Sequence, residues 1–284
     1  MPAVDTMYSL IVNTGPLCNL QCRTCSPWLS SSWIKEYNQL PSEFQIFGKS
    51  LNLEKVKTWP GQYYQFNDEL SCVRELGLIG GEPMYNADSY NLLEKVYHAT
   101  NGNTTITFTT NGTILFDNKK YPWLNKFKSI VLIVSLDASG QASNFIRTGS
   151  TWSTIEKNIQ EYIKMPNIRV EYHPTYSVLN IFEIDRLKKW AESIGIVATN
   201  EITYVEHPRH FSYNILTDVE KITAVEYLTS VGQYTVANRV TESTFEPKER
   251  SKFIKLMEHT KTYHDLDWKD YLPELYNLLN KTCP

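Results

Sequence analysis

Three thiols within eight positions are the side chains of this sequence best suited to chemistry: Cys18, Cys22 and Cys25, in the run Asn13-Thr-Gly-Pro-Leu-Cys18-Asn-Leu-Gln-Cys22-Arg-Thr-Cys25. Gly15 and Pro16 bend the chain out of the preceding apolar stretch, and the short spacing lets the three thiolates converge on one small object. Three readings compete. A structural zinc ion takes four protein ligands, yet no fourth Cys or His lies nearby, and His98 is the first histidine of the chain. Unligated thiols are the plain alternative. A [4Fe–4S] cluster ordinarily takes four thiolates; with three, one iron is left open, which suits catalysis better than simple electron transfer. The remaining cysteines, Cys72 and Cys283, stand alone. That is not the even, dispersed set of a secreted disulfide framework, and clustered thiols in a reducing compartment point to metal.

Other segments carry polar residues where apolar runs stop. Gly80-Gly81-Glu82-Pro83 reads first as a turn, with glycines for unusual backbone angles or close approach and a proline to end pairing. Asn111-Gly112 is a turn signal, and Ser135-Leu136-Asp137 is a strand running into an acidic turn. Arg147 precedes a helix that begins near residue 151, where a guanidinium could take a carboxylate in a bidentate grip or simply sit in solvent. His173 reads as a structural histidine and Asn180 as a cap for the helix after it. His207 and His210 are spaced for a metal, but a loop between domains explains them equally well.

The elements that would position these groups alternate. Strands are expected at 8–13, 75–79, 105–109, 130–136, 169–177 and 198–205, from β-branched and aromatic runs that stop at Gly, Asn or Asp. Helices are expected at 30–37, 89–99, 152–164 and 182–194. Strands alternating with helices argue for an α/β fold with a parallel sheet and crossover helices. About six such units predict a partial (βα)6 TIM-like barrel over 1–205, since a closed barrel needs eight. Residues 40–68 form an insertion of the kind that shapes a substrate mouth. From 206 to 284 the strands cease, and helices expected at 218–231, 248–259 and 267–279 make a helical C-terminal extension.

Composition narrows the partners. The 284 residues are 42% hydrophobic, enough for a sizeable core, and carry 28 basic against 31 acidic side chains. A net charge of −3 gives no electrostatic reason to expect nucleic acid or an anionic membrane. No apolar stretch approaches the roughly 20 residues of a membrane span, and residues 1–10 do not read as a signal peptide. A soluble, cytoplasmic protein is the expectation.

C-x3-C-x2-C after the first strand resembles the signature of the radical S-adenosylmethionine (radical SAM) enzymes. In that family the open iron is chelated by the methionine moiety of the cosubstrate. One electron from the cluster then splits the sulfonium, and the 5′-deoxyadenosyl radical abstracts hydrogen from the substrate. The later motifs resemble the family's in order: GGEP at the second strand end, TNG at the third, SxD at the fourth, then an arginine. The resemblance covers about residues 8–205 and makes Cys18, Cys22 and Cys25 the cluster ligands. It gives Gly80, Gly81, Glu82, Asn111, Ser135 and Arg147 to S-adenosylmethionine, with Asn111 near the nucleoside and Arg147 on the methionine carboxylate. Where members often carry an aromatic beside the last cysteine, this chain has Leu20 and Thr24.

The overall style is similar to the twitch- and SPASM-type peptide-modifying branch, but the single Cys72 and Cys283 predict no auxiliary cluster. The resemblance further implies an unidentified substrate, with a peptide or protein among the candidates, and an electron donor such as flavodoxin or ferredoxin. A scaffold that has lost turnover, or a zinc-stabilised binding protein, are the alternatives.

Overall fold

The structure is a computed structural model describing residues 8–46, 48, 50–52, 54 and 68–280. Most of the 40–68 insertion, and Cys283, lie outside the described residues.

Six strands form one sheet: β1 (Ser9–Asn13), β2 (Glu75–Ile79), β3 (Thr105–Thr110), β4 (Ser129–Ser135), β5 (Ile168–His173) and β6 (Val197–Ala198). They lie in the sheet in the order of the sequence. β1 pairs in parallel with β2, β2 with β3 and β3 with β4, in registers that set Asn13 against Ile79 and Thr110 against Val134. Parallel neighbours need a crossover between them. Helices α2 (Ala87–Thr100) and α4 (Trp152–Ile163) are of that kind, connecting β2 to β3 and β4 to β5.

The strand assignments follow from side-chain alternation. In β3, Ile106, Phe108 and Thr110 are buried while Thr105, Thr107 and Thr109 are half-buried, the period of two of a pleated strand. In α4, Ile155, Ile159 and Tyr162 are buried on one face, the period of a helix packing one stripe against a core. The α/β class and the parallel sheet expected from the sequence are therefore present.

Two departures have local causes. The strand expected at 169–177 breaks at Pro174, which offers no N–H to a ladder. The chain resumes as Thr175–Tyr176, paired in parallel with Thr203–Tyr204, so the strand expected at 198–205 is likewise divided. The helix expected at 267–279 is cut at Pro273, because the residue before a proline avoids helical angles. Leu272 accordingly has φ −131°, between α9 (Trp268–Tyr271) and α10 (Pro273–Asn280).

The chain forms two compact units. The first comprises Met1–Gln21, Cys25–Ser135 and Ser153–Tyr172; the second comprises Cys22–Thr24, Leu136–Trp152 and His173–Pro284. In the first, α1 (Trp33–Tyr37) is shorter than the helix expected at 30–37. In the second lie α3 (Gly140–Ile146), α5 (Ile184–Ser193), α6 (Asp218–Ser230), α7 (Tyr234–Glu242) and α8 (Pro247–His264), with α9 and α10. Neither α3 nor α7 was expected from sequence, and α8 runs five residues past the end expected at 259. α8 buries Phe253, Leu256, Met257 and Thr260 as one stripe, and Phe253 meets Phe211 and Trp268 edge to face at 6.1 and 5.5 Å. Among the described residues, no helix is long and apolar enough to cross a membrane.

Candidate functional site

In the first unit, the loop carrying Cys18 is built by three strand ends and a serine run. The end of β2 grips it through the backbone: Gly81 N–H donates to Gly15 O at 2.8 Å and Glu82 N–H to Leu17 O at 2.7 Å. This approach is why glycines stand at 80 and 81. Gly80 has φ +125°, and a Cβ there would fall 2.7 Å from Asn13 Oδ1; at Gly81 it would fall 2.4 Å from Leu17 O. The glycines thus admit the backbone of the cysteine loop itself. Ser31 N–H donates to Pro16 O at 2.7 Å, Cys18 N–H to Ser31 Oγ at 3.3 Å, and the Ser32 hydroxyl to Cys18 O at 2.6 Å. Those serines were not singled out in the sequence, because a serine run carries no signal until the loop beside it is known.

Glu82 is wholly buried. Its carboxylate accepts from Met84 N–H at 3.0 Å, the Thr110 hydroxyl at 2.9 Å and Asn111 N–H at 2.6 Å, so it ties the ends of β2 and β3 together. Asn111 points its amide at the cysteine loop. Its Nδ2 donates to Asn19 Oδ1 at 2.9 Å and lies 3.8 Å from Cys18 Sγ, while its Oδ1 accepts from Thr113 N–H and hydroxyl at 3.0 and 2.6 Å. Cys18 Sγ also receives Leu20 N–H at 3.4 Å. Burial pushes the Cys18 thiol up from its ordinary value, with the Leu20 N–H opposing it. Ser135 ends β4 half-buried, and Cys25 and Cys72 are half-buried and in no disulfide.

In the second unit, Arg147 follows α3 with its guanidinium buried. Nη2 is 2.9 Å from Asp137 Oδ2, and Nη1 reaches Cys22 Sγ at 3.7 Å. Asp137 in turn accepts from Thr175 N–H at 2.9 Å. A buried ion pair of this kind is held by its geometry, and here it aims a cationic donor at a thiol.

Other sequence candidates resolve as structural groups. His173 meets Thr199 Oγ1 with Nδ1 at 2.6 Å and Thr203 Oγ1 with Nε2 at 3.0 Å. Asn180 does not cap α5, whose N-cap is Glu183. It closes a capping box on the short turn Val178–Asn180, accepting from Ser177 N–H. His210 is buried beside Glu249, its Nδ1 3.8 Å from Oε2. Among the described residues no three His, Cys, Asp or Glu side chains are placed to hold a single metal ion. A cluster spreads its thiolates over separate irons, so its ligands need not meet at one point. N–H donors to Cys18 and Cys22 are the kind of contact that stabilises and tunes cluster thiolates, so the residues present fit such a group.

No protein-family model matches the chain, and no curated protein matches it. Among solved structures the chain is similar to anSMEcpe with bound AdoMet, at 14% identity over 84% of this chain and a TM-score of 0.49. It is similar to SuiB of Streptococcus suis bound to S-adenosylmethionine, at 18% identity over 84% of this chain and a TM-score of 0.41. A third is coproporphyrinogen III oxidase (HemN) from Escherichia coli, described as a radical SAM enzyme, at 10% identity over 90% of this chain and a TM-score of 0.40. The chain spans 63%, 46% and 52% of those three chains, less than two thirds of each.

Proposed function

We propose that this chain is a radical SAM enzyme in which Cys18, Cys22 and Cys25 hold one [4Fe–4S] cluster. One observation carries the reading. Asn111 at the end of β3 and Arg147 just after α3, both singled out by type and position in the sequence, direct N–H groups at the sulfurs of Cys18 and Cys22. An unligated thiol offers little reason for such donors, whereas a thiolate ligating metal is stabilised by them.

When bound, the cluster supplies the single electron that cleaves S-adenosylmethionine to a radical able to abstract hydrogen. The chain's own part is to hold and shield. Asn111 donates a neutral N–H to one ligating sulfur, and the Arg147 guanidinium offsets negative charge on another. Glu82 fixes the β2 and β3 ends, the turn at Gly80 and Gly81 holds the cysteine loop, and the cosubstrate would bind along this edge and the Ser135 hydroxyl. The proposed substrate class is a peptide or protein, with reduction by a flavodoxin or ferredoxin.

The test is anaerobic reconstitution followed by dithionite and S-adenosylmethionine. About four irons per chain are expected for the single cluster, with release of 5′-deoxyadenosine. A fully loaded sample that releases none would leave a scaffold without turnover.

A further inference from the structure

Arg23 stands between two of the cysteines and plays no part in the reading above, yet it is among the largest fully buried side chains, at 1% exposure. A guanidinium cannot lose its charge inside a protein, so it is buried only where it is held. Within the second unit it is held by α8. Nη1 donates to Thr260 Oγ1 at 3.2 Å, and Nη2 lies 3.3 Å from His264 Nε2. Thr260 spends its own proton on Leu256 O at 2.8 Å, which leaves its oxygen as the acceptor for Arg23. His264 sits one helical turn on from Thr260, so the planar fork spans a single face of α8. The backbone of the same residue is fastened on its other side, because Arg23 N–H donates to Ile146 O at 2.7 Å at the end of α3. Arg147, the next residue, reaches back to Cys22 Sγ.

We propose that Arg23 is a positioning residue that locks Cys22 between α3 and α8, so that the C-terminal helices set the geometry of a cluster ligand. The proposal rests on the cluster reading for its consequence, but the lock itself belongs to the metal-free chain.

The experiment therefore has two arms. Hydrogen exchange on the metal-free full chain, read by mass spectrometry on the peptide spanning 18–25, is compared among the wild type, Arg23→Met, Arg23→Lys and Thr260→Val. Removing the lock allows local opening, and Arg23→Met and Thr260→Val are expected to exchange at least about fivefold faster there, with peptides of α2 unchanged. Arg23→Lys should fall between, because an ammonium cannot fork across both partners. A chain carrying both Arg23→Met and Thr260→Val should exceed neither single variant, since both act through one contact. The second arm measures iron per chain after anaerobic reconstitution and the electron paramagnetic resonance of the reduced sample. Lower occupancy and a shifted signal are expected in the same variants. Thr260→Val keeps the buried shape, so it reports the lock even where Arg23→Met unfolds. Wild-type exchange in Thr260→Val and Arg23→Lys overturns the proposal. Faster exchange in a chain whose wild type takes up no cluster supports the lock and overturns the cluster reading instead.

Discussion

Glu82 shows how a motif residue works through its neighbours. The sequence offers a carboxylate in a glycine turn, which the resemblance gives to the cosubstrate. In the fold, the same carboxylate is sealed from solvent and accepts from Met84, Thr110 and Asn111, two of the donors being backbone N–H groups. Glu82→Gln replaces one acceptor oxygen with a donor that must face one of them. Hydrogen bonds to a buried charged group are worth about 1.5–3 kcal/mol each, so chemical denaturation should report a loss of about 2 kcal/mol. Unchanged stability would mean the carboxylate is free for another task. Types and positions of Cys18, Glu82 and Asn111 could be read in the sequence because each stands just past an expected strand, and Arg147 because it stands just before an expected helix. Arg23 and the serines at 30–32 could not. Arg23 finds Thr260 across 237 positions, and no local pattern encodes such a meeting.

At the scale of elements, the decisive contact is backbone against backbone. β2 does not end in an open glycine loop; its last turn lies on the Gly15–Leu17 segment with two backbone hydrogen bonds of 2.8 and 2.7 Å. Gly81→Ala would set a Cβ 2.4 Å from Leu17 O, and neither backbone is a flexible side chain that can swing aside. Overpacking of that kind costs about 1–3 kcal/mol. The expected outcome is a lower denaturation midpoint together with reduced iron uptake, because the loop that must yield carries Cys18. A variant that keeps wild-type iron content would separate the turn from the metal site. Strand and helix positions were legible wherever alternation or helical spacing was strong, as in β3 and α4. They were misjudged where one residue interrupts a good pattern: Pro174 divides one expected strand and Pro273 one expected helix.

At the scale of the whole chain, stability should depend on pH through a group that takes no part in the sulfur chemistry. His210 is buried, and desolvation pulls its pKa down to about 4, against the attraction of Glu249 and helped by Lys252. The unfolded chain, with an ordinary histidine near 6.5, binds the proton first as pH falls. The folded state therefore has its full stability above about pH 6.5 and loses it as pH drops toward 4, by up to about 3 kcal/mol. Denaturation of the wild type and His210→Gln across that window should show the slope in the first and its loss in the second. Equal slopes would assign the acid sensitivity elsewhere.

What the sequence by itself determined is the chemistry on offer: three thiols too few for a closed site, polar residues where strands stop, and an alternation of elements that builds a parallel sheet. These are local properties, set by residue type, spacing and propensity. Only the tertiary structure decided which groups those residues serve. It turned the glycines toward the cysteine loop, buried Glu82 as a tie between strand ends, aimed Asn111 and Arg147 at sulfur, and sent Arg23 into α8. Each of these depends on partners brought together by burial across tens to hundreds of positions, and burial is a property of the folded chain rather than of any segment of it.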